Sequence, residues 1–316
     1  MRRTLVFAAA VAALLAAQPT FAADKLTVLL DWDVNPDHAP LVIAKEDGYF
    51  AKEGLDVDLE VASDAAAPAK LVAAGKADVA ISYQPDLMLM VKEGVPVVRF
   101  GTLIDSPLNC LIALKDGPVK TLADLKGKTI GNSVTTFQEA YLNGILGTVG
   151  LSSKDVKIVN LNYNLIPPLL AGQVDAILDG YRNVELIQLE DQGHPVQAWY
   201  PEQNGVPAYD ELIYVAAADK ATTDPRLPRF LAAIKEATAY IEAHPDEALA
   251  TFLKAHSDLD NELTKKQYTA TLPYFAKDPG ALDEARYLGF AGFLKANGLI
   301  DTVPPLASFA VQLPGE

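Results

Sequence analysis

Cysteine is nearly absent from this sequence, because Cys110 is the only one among 316 residues. A single cysteine cannot form an internal disulfide or a thiolate metal cluster, so neither is expected. Cys110 stands between Asn109 and Leu111 in a mostly apolar stretch, which favours a small buried residue over a nucleophile. The four histidines, at positions 38, 194, 244 and 256, lack the paired spacing of a zinc site, so no metal is expected.

Basic residues are also scarce. The chain has 26 Lys and Arg against 41 Asp and Glu, which gives a formal net charge of −15. A polyanion such as DNA or RNA would be repelled, so no nucleic-acid partner is expected. Half of the residues are hydrophobic, enough for a full core, and the length suggests about two domains. Beyond the first 22 residues no apolar run is long enough to span a bilayer.

The first 22 residues have the features of an export signal that is removed after transport. Arg2 and Arg3 form a basic start, residues 5–17 are apolar and uncharged, and Ala22 precedes the expected cleavage point. The apolar run is shorter than the roughly 18 to 20 residues of a membrane anchor. Ala23 stands where a lipoprotein would carry a cysteine, so no lipid is expected. We therefore predict a soluble, monomeric mature protein in a periplasm.

Strand and helix patterns alternate along the rest of the chain. Residues 26–103 contain β-type apolar runs separated by helix-period segments, with Gly75 closing one of the helices, and the pattern restarts over residues 111–193. Such alternation predicts mostly parallel sheets covered by helices, and therefore two α/β lobes. Helical segments fill residues 227–296 and are expected to pack on the first lobe.

The chain is expected to cross between the lobes twice, near residues 109–114 and 211–217. Two α/β lobes with two crossovers are typical of a hinged trap that closes on a small molecule between the carboxyl ends of both sheets. The predicted division is a signal peptide at 1–22, lobe one at 23–110 plus 215–316, and lobe two at 111–214.

Ten short segments carry a family resemblance. They are Leu30 to Trp32, Asn35 to His38, Gly48 to Phe50, Glu53 to Val57, Leu71 to Ala80, Ser82 to Gln84, Leu125 to Lys128, Gly172 to Ala176, Tyr181 to Glu185 and Pro207 to Leu212. Together they resemble the solute-binding proteins related to thiamine-pyrimidine synthases, over about residues 26–217. The resemblance implies an α/β type II periplasmic binding protein, with two α/β lobes joined by two crossovers and a helical C-terminal tail packed on lobe one.

The resemblance also implies a function. Within this family the chain is most similar to proteins that bind formylaminopyrimidine for ABC importers. A substrate-binding component that captures N-formyl-4-amino-5-aminomethyl-2-methylpyrimidine for thiamine salvage is therefore expected, with the permease and ATPase subunits of the transporter as partners. Riboflavin and anions such as a sulfonate, taurine or nitrate are the alternative ligands, because related binding proteins carry them.

An enzymatic alternative comes from the same family. Its eukaryotic members are pyrimidine synthases that consume their own histidine and use pyridoxal phosphate held by a lysine. Here Ser82 stands at the position of that lysine and Asp86 at the position of that histidine, and the cysteine-rich motif of the synthases is missing. No hydrolase elbow, phosphate loop or zinc-protease motif supports another reaction. We therefore expect no enzyme and no cofactor.

A planar aminopyrimidine needs aromatic rings against its faces and polar groups at its rim. Trp32, Tyr83 and Tyr181 each follow or end a predicted strand, and any of them could stack on the ring. Glu185 is predicted to accept from the exocyclic amine while pairing with a ring nitrogen. It could equally be a favourable charge at a helix N-terminus, and Glu211 is then the alternative carboxylate.

Seven further polar residues are candidates for the rim: Asn35, His38, Gln84, Asn109, Ser133, Gln138 and Asn183. His38 could instead only cap its turn, whereas Asn109 suits a ligand contact because it stands at a predicted crossover. Ser133 ends a strand, where backbone N–H groups could hold a carbonyl oxygen or an anion. Arg182 is the only basic residue among the candidates that follow strands. If its side chain faced the cleft, an anionic ligand would be favoured.

Overall fold

The structure is a computed structural model of the chain. It describes residues 23–62, 68–133, 138–162 and 164–314. The predicted signal peptide, residues 1–22, lies outside the described residues. Within the described ranges, no helix combines the length and the apolar character needed to cross a membrane.

Strands and helices alternate along the described chain, which confirms the predicted pattern. The strands are β1 (Asp24–Leu30), β2 (Leu55–Val61), β3 (Val79–Ser82), β4 (Val97–Ile104), β5 (Asn109–Leu114), β6 (Thr129–Asn132), β7 (Lys157–Asn160), β8 (Ala176–Tyr181), β9 (Val196–Trp199) and β10 (Leu212–Ala217). The α-helices are α1 (Ala39–Glu46), α2 (Tyr49–Lys52), α3 (Pro68–Ala73), α4 (Gln84–Lys92), α5 (Gln138–Gly147), α6 (Ile166–Leu170), α7 (Glu185–Asp191), α8 (Arg226–Ala243), α9 (Pro245–Ala255), α10 (Glu262–Thr271) and α11 (Glu284–Ala296).

The described strands form two sheets of the same design. Lobe one contains the order β2-β1-β3-β10-β4, and lobe two contains β7-β6-β8-β5-β9. The first three strands of each order are parallel, whereas β10 and β5 run antiparallel to both of their neighbours. An antiparallel strand begins at the edge where its parallel neighbours end. The starts of β5 and β10 therefore lie at the same sheet edges as the carboxyl ends of the parallel strands.

Strand β3 inside the lobe-one sheet and strand β4 at its end are covered on both faces. Every residue of β3 and β4 is buried, as expected for strands without a solvent face. Gly75 follows α3 with φ +68°, a conformation that favours glycine, and this agrees with its predicted role at a helix end. Cys110 in β5 is fully buried, and its thiol donates to the carbonyl oxygen of Gly180 at 3.1 Å. The prediction of a small buried residue there is confirmed.

The C-terminal helices do not all pack where the sequence predicted. Helices α8 and α9 pack against α1 in lobe one, as expected. In contrast, α10 contacts both the turn Pro36–His38 in lobe one and α7 in lobe two. Helix α11 contributes Tyr287, Phe290 and Leu294 to the core that contains α5 of lobe two. The prediction of a tail packed on lobe one needs correction for α10 and α11, because their buried side chains contact both lobes.

The two crossovers lie slightly earlier than predicted. Strand β5 belongs to the sheet of lobe two and begins at Asn109, where the prediction began lobe two at residue 111. Strand β10 belongs to the sheet of lobe one and begins at Leu212, where the prediction returned to lobe one at residue 215. The connections between the sheets are thus residues 105–108 and 200–211.

Candidate functional site

Loops at the carboxyl edges of both sheets bring most of the predicted site residues together. Asp31 follows β1, Tyr83 follows β3, and Ser133 follows β6. Asn109 begins β5 directly opposite Tyr181, the last residue of β8. Tyr181 belongs to lobe two but packs against the hydrophobic core of lobe one, so the two edges face each other. The candidate site is the cleft between these edges.

Asp31 is a carboxylate of the cleft that two side chains hold in place. Its Oδ1 lies 3.0 Å from Nε2 of His38, and its Oδ2 accepts from the hydroxyl of Tyr83 at 2.5 Å. Burial raises the pKa of Asp31, but the contacts with His38 and Tyr83 outweigh it and hold the pKa below its usual range. Asp31 is therefore an ionised group at neutral pH, held by one residue of the next turn and by one that directly follows the neighbouring strand.

The turn after β1 explains the positions of Asn35 and His38. The backbone N–H of Asn35 donates to Nδ1 of His38 at 3.2 Å, so Nε2 carries the hydrogen and donates to Asp31. The side chain of Asn35 accepts from the N–H of Asp37 and donates to the carbonyl of Asp33. His38 is fully buried with both ring nitrogens engaged. The structure thus gives His38 and Asn35 partners within their own loop.

Glu185 is the first residue of α7 and is 8% exposed. Its Oε2 accepts from the backbone N–H of Tyr181 at 2.7 Å, which closes the turn between β8 and α7. Burial raises the pKa of Glu185 to about 7. An exposed helix-start charge would not show such a shift, so Glu185 is more than a solvated capping residue. It offers a carboxyl group that gains or loses its proton near neutral pH.

Glu211 lies where both crossovers meet. Its Oε2 accepts from the N–H of Leu108 at 2.6 Å, the N–H of Asn109 at 3.1 Å and the hydroxyl of Tyr209 at 3.2 Å. Its Oε1 accepts from the hydroxyl of Tyr181 at 3.3 Å. Burial raises the pKa of Glu211 to about 7 as well. Because four protein donors surround it, this carboxyl group ties the first crossover to the second.

Asp179 joins three side chains on the lobe-two wall of the cleft. It accepts from the N–H and the hydroxyl of Ser133, both at 3.1 Å, from Nε2 of Gln138 at 2.9 Å and from Nδ2 of Asn109 at 3.4 Å. Its φ of +66° is unusual for a residue with a side chain. Burial raises its pKa. The predicted candidates Ser133, Gln138 and Asn109 therefore share one partner that the sequence did not single out.

Asn183 makes a contact between the lobes. Its Nδ2 donates to Oδ1 of Asp37 at 2.6 Å and to the hydroxyl oxygen of Thr271 at 2.7 Å. Burial raises the pKa of Asp37 to about 6.

The two remaining candidates differ in where they lie. Gln84 is fully buried, and its side chain accepts from the N–H of Asp210 at 2.8 Å. Trp32 is half-buried in the loop after β1.

Arg182 is already engaged by a carboxylate. Its two Nη atoms donate to the two oxygens of Glu202 at 2.9 and 3.0 Å. Its guanidinium also lies over the ring of Tyr200, 4.1 Å from the ring centre. Burial lowers the pKa of Arg182, but the contacts with Glu202 outweigh it and raise the pKa overall. Its positive charge is therefore neutralised within lobe two.

The sequence of this chain matches a described family over most of its length. A profile of the family described as NMT1/THI5 like matches residues 35–248, which is 214 of the 316 residues. The chain belongs to the NMT1/THI5-like family. A Haemophilus influenzae protein assigned to thiamine biosynthesis is 45% identical over 296 residues, 93% of this chain and 94% of that protein. The formylaminopyrimidine-binding protein of Halalkalibacterium halodurans is 33% identical over 233 residues, 73% of this chain and 71% of that protein.

NMT1/THI5-like relatives also include an enzyme, and solved structures show the fold. The 4-amino-5-hydroxymethyl-2-methylpyrimidine phosphate synthase of Aspergillus parasiticus is 27% identical over 274 residues, 81% of this chain and 78% of the enzyme. The periplasmic aliphatic sulphonate binding protein of Escherichia coli superposes with a TM-score of 0.71 at 17% identity, covering 90% of this chain and 96% of that one. The predicted periplasmic binding protein fold with two lobes is thereby confirmed.

Three buried residues of this NMT1/THI5-like cleft were not predicted as site residues. Asp37 and Asp179 carried local signals, since Asp37 lies within a family motif and Asp179 precedes a glycine at the end of a strand. Thr271 carried none, because it lies in a helical segment 88 residues after its partner Asn183. In the described parts of the chain, no three His, Cys, Asp or Glu side chains are grouped to hold a metal ion.

Proposed function

We propose that this NMT1/THI5-like protein is the substrate-binding component of an ABC importer. We propose further that it captures N-formyl-4-amino-5-aminomethyl-2-methylpyrimidine, a thiamine precursor. The family membership and the two-lobe fold support a binding role, and the relative named as a formylaminopyrimidine-binding protein supports this ligand. The partners would be the permease and ATPase subunits, and the mature protein would work as a periplasmic monomer.

The acidity of the cleft carries the choice of ligand. Asp31, Asp179, Glu185 and Glu211 place buried carboxyl groups at the facing sheet edges. Arg182, the basic candidate, is neutralised by Glu202. A sulfonate or nitrate would bring a further negative charge to a poorly solvated acidic site, which is unfavourable. An aminopyrimidine instead brings N–H donors, which carboxyl oxygens accept.

Glu185 is the proposed partner of the pyrimidine rim. Its Oε2 is anchored by the N–H of Tyr181, so the position of the carboxyl group is fixed before a ligand arrives. A carboxyl with a pKa of about 7 can share one proton with a weakly basic ring nitrogen and accept from the neighbouring amine. This two-point, charge-assisted contact distinguishes an aminopyrimidine from a ring without the amine.

Aromatic rings are proposed to cover the faces of the pyrimidine. The hydroxyl of Tyr83 is held by Asp31 and that of Tyr181 by Glu211, so both rings are fixed at their polar ends. Trp32 is half-buried in the loop between β1 and the turn at Pro36–His38. A ring that is already ordered loses little conformational freedom when a ligand stacks on it.

The remaining candidates are proposed to act mainly through other groups. His38 and Asn35 position Asp31 and its loop, and Asn109 and Ser133 form the lobe-two rim around Asp179. Gln84 and Glu211 hold the crossovers, through the N–H of Asp210 and through those of residues 108 and 109. We therefore place Glu185 ahead of Glu211 as the ligand carboxylate.

The synthase activity of the related enzymes is not proposed for this chain. Ser82 ends β3 with its side chain buried, at the position where the resemblance puts the cofactor-binding lysine. A serine hydroxyl has no amine with which to form an imine, so the residue does not fit pyridoxal phosphate. A binding role requires no such residue.

Calorimetry on the purified mature protein tests the assignment. We expect the formylated aminopyrimidine to bind with a dissociation constant in the micromolar range or tighter, and riboflavin, taurine and nitrate to give no binding heat. Binding of one of these three without binding of the pyrimidine would contradict the ligand. Mass spectrometry after incubation with pyridoxal phosphate tests the enzyme alternative, and formation of a new pyrimidine would contradict the binding role.

A further inference from the structure

The turn between β8 and α7 contacts lobe one through buried polar groups. Asn183 in this turn donates to Asp37, which belongs to the loop after β1, and to Thr271, the last residue of α10. Tyr268 anchors α10 in the core of lobe one. The side chains of Asn183, Asp37 and Thr271 are all at least 98% buried. The contact therefore spans the cleft and is shielded from water on all sides.

The three groups satisfy one another except at Oδ1 of Asn183, a buried atom that has no hydrogen-bond partner in the described chain. The hydroxyl of Thr271 lies 3.2 Å from Oδ1 of Asp37 and 2.9 Å from the carbonyl oxygen of Gln267, so its one hydrogen has two acceptors in reach. Its oxygen accepts from Asn183. Because Asn183 uses its amide nitrogen on protein groups of the opposite lobe, this part of its side chain is not available to a ligand.

Two weaker contacts flank this cluster along α10. Nε2 of Gln267 donates to the carbonyl oxygen of Val184 at 3.4 Å, and Lys266 forms an ion pair with Asp191 of α7. The ion pair is largely exposed, so it contributes little. Rotation of the lobes about residues 105–108 and 200–211 would separate all of these partners, and the buried cluster would lose the most.

We propose that Asn183, Asp37 and Thr271 form a closure latch, which holds the lobes together through hydrogen bonds between protein groups. The latch deepens the proposed function, because it would set affinity by setting the fraction of molecules in the closed form. A protein whose binding form is only partly populated shows an affinity reduced by that fraction. Asn183 is thus a positioning residue through its amide nitrogen, and only its Oδ1 is left for the ligand contact that the sequence suggested.

Distance measurements between the lobes test the latch without any ligand. Spin labels are attached to cysteines at Glu60→Cys and Val159→Cys, two exposed positions near the carboxyl ends of the edge strands β2 and β7. Cys110 is fully buried and stays unlabelled. We expect the ligand-free protein to populate a short, closed distance. Thr271→Val, which replaces the hydroxyl by a methyl group of similar size, should shift the closed-to-open ratio by about tenfold.

Binding measurements on the same variants provide the second readout. Thr271→Val and Asn183→Ala should both weaken the apparent affinity for the formylated aminopyrimidine, by about tenfold for Thr271→Val. Thr269→Val is the matched control, because Thr269 is exposed on the same helix and its hydroxyl bonds only within that helix. It should leave distances and affinity unchanged. Melting temperatures close to the wild-type value show that the variants fold.

Two results would overturn the latch. One is an inter-lobe distance distribution that is the same in the wild type, Thr271→Val and Asn183→Ala. A ligand-free wild type that shows no closed population is a case of this result. The other is a loss of affinity with unchanged distances, which would make these residues ligand contacts. If the wild type does not bind the aminopyrimidine at all, the proposed function fails, but the ligand-free distances still decide about the latch.

Discussion

Replacing Glu185 by glutamine should lower the affinity for the ligand and raise the stability of the fold. The negative charge of the carboxylate favours the proposed ligand contact, whereas its burial lowers the free energy of unfolding. Glutamine keeps the shape and one carbonyl oxygen for the N–H of Tyr181. It cannot carry the negative charge that strengthens the proposed contact with the pyrimidine. Charge-assisted hydrogen bonds are about twice as strong as neutral ones, so we expect affinity to fall roughly tenfold. Glu185→Leu removes both polar atoms and should lose about a hundredfold or more.

The same substitution should stabilise the fold at high pH. Folding raises the pKa of Glu185 from 4.5 to about 7. At a pH where the carboxyl group is ionised in both the folded and the unfolded protein, this shift lowers the free energy of unfolding by about 3 kcal/mol. Between these pH values the folded protein keeps a proton that the unfolded chain has released, so stability falls as pH rises. Glutamine has no proton to lose. We expect Glu185→Gln to gain about 1 to 3 kcal/mol at pH 8 and less than about 0.5 kcal/mol at pH 4.5, where the folded state holds the proton and the unfolded chain holds it about half of the time.

Urea denaturation at both pH values and calorimetry at pH 7.5 measure the two effects. Glu190→Gln is the control, because Glu190 is exposed on the same helix and should change neither quantity. Wild-type affinity in Glu185→Leu would refute the ligand role. Equal stability of Glu185→Gln and the wild type at pH 8 would refute the claim that burial raises the pKa of the Glu185 carboxyl group.

Three further outcomes are expected. Glu211→Ala leaves the N–H groups of Leu108 and Asn109 unpaired and should lower the free energy of unfolding, measured by urea denaturation, by about 2 to 4 kcal/mol. Glu211→Gln retains an acceptor and should lower it by less than about 1 kcal/mol. Equal losses in the two variants would contradict this role of Glu211. Trp32→Phe should abolish the fluorescence change on ligand addition and Trp199→Phe should preserve it, and the reverse would remove Trp32 from the site. The melting temperature of the wild type should fall as the pH is raised from 5 to 8, because ionisation of the buried carboxyl groups lowers the free energy of unfolding by at least about 2 kcal/mol. A rise in melting temperature over this range would contradict the raised pKa values of these groups.

The residues proposed for closure and for recognition are only two positions apart in this protein. Glu185, the proposed ligand carboxylate, begins α7, and Asn183 of the proposed latch lies in the turn just before it. The N–H of Tyr181 fixes Glu185 from the other end of the same turn. A ligand that draws Glu185 toward lobe one would therefore also bring Asn183 toward Asp37.

The placement of several candidate residues at the sheet edges could be predicted from the sequence because it depends on local patterns. Alternating strand and helix periods identified the strands, and the carboxyl ends of parallel strands must share one edge of a sheet. Tyr83, Ser133 and Tyr181 follow or end such strands, and the structure brings them to the facing edges. The first-lobe placement of α8 and α9 also followed, because a helix with an apolar stripe needs a formed core to cover.

The sequence by itself thus determined the two lobes, their order of strands and helices, and the loops from which the site is built. Only the tertiary structure decided how individual polar groups are used. Asn183 meets Asp37 and Thr271 across 146 and 88 residues, and no periodicity encodes a hydrogen bond over such distances. The pKa of Glu185 likewise depends on burial and on nearby carboxyl groups, among them Asp37 of the opposite lobe. Partners and burial follow from how the two lobes pack against each other, which local sequence does not specify.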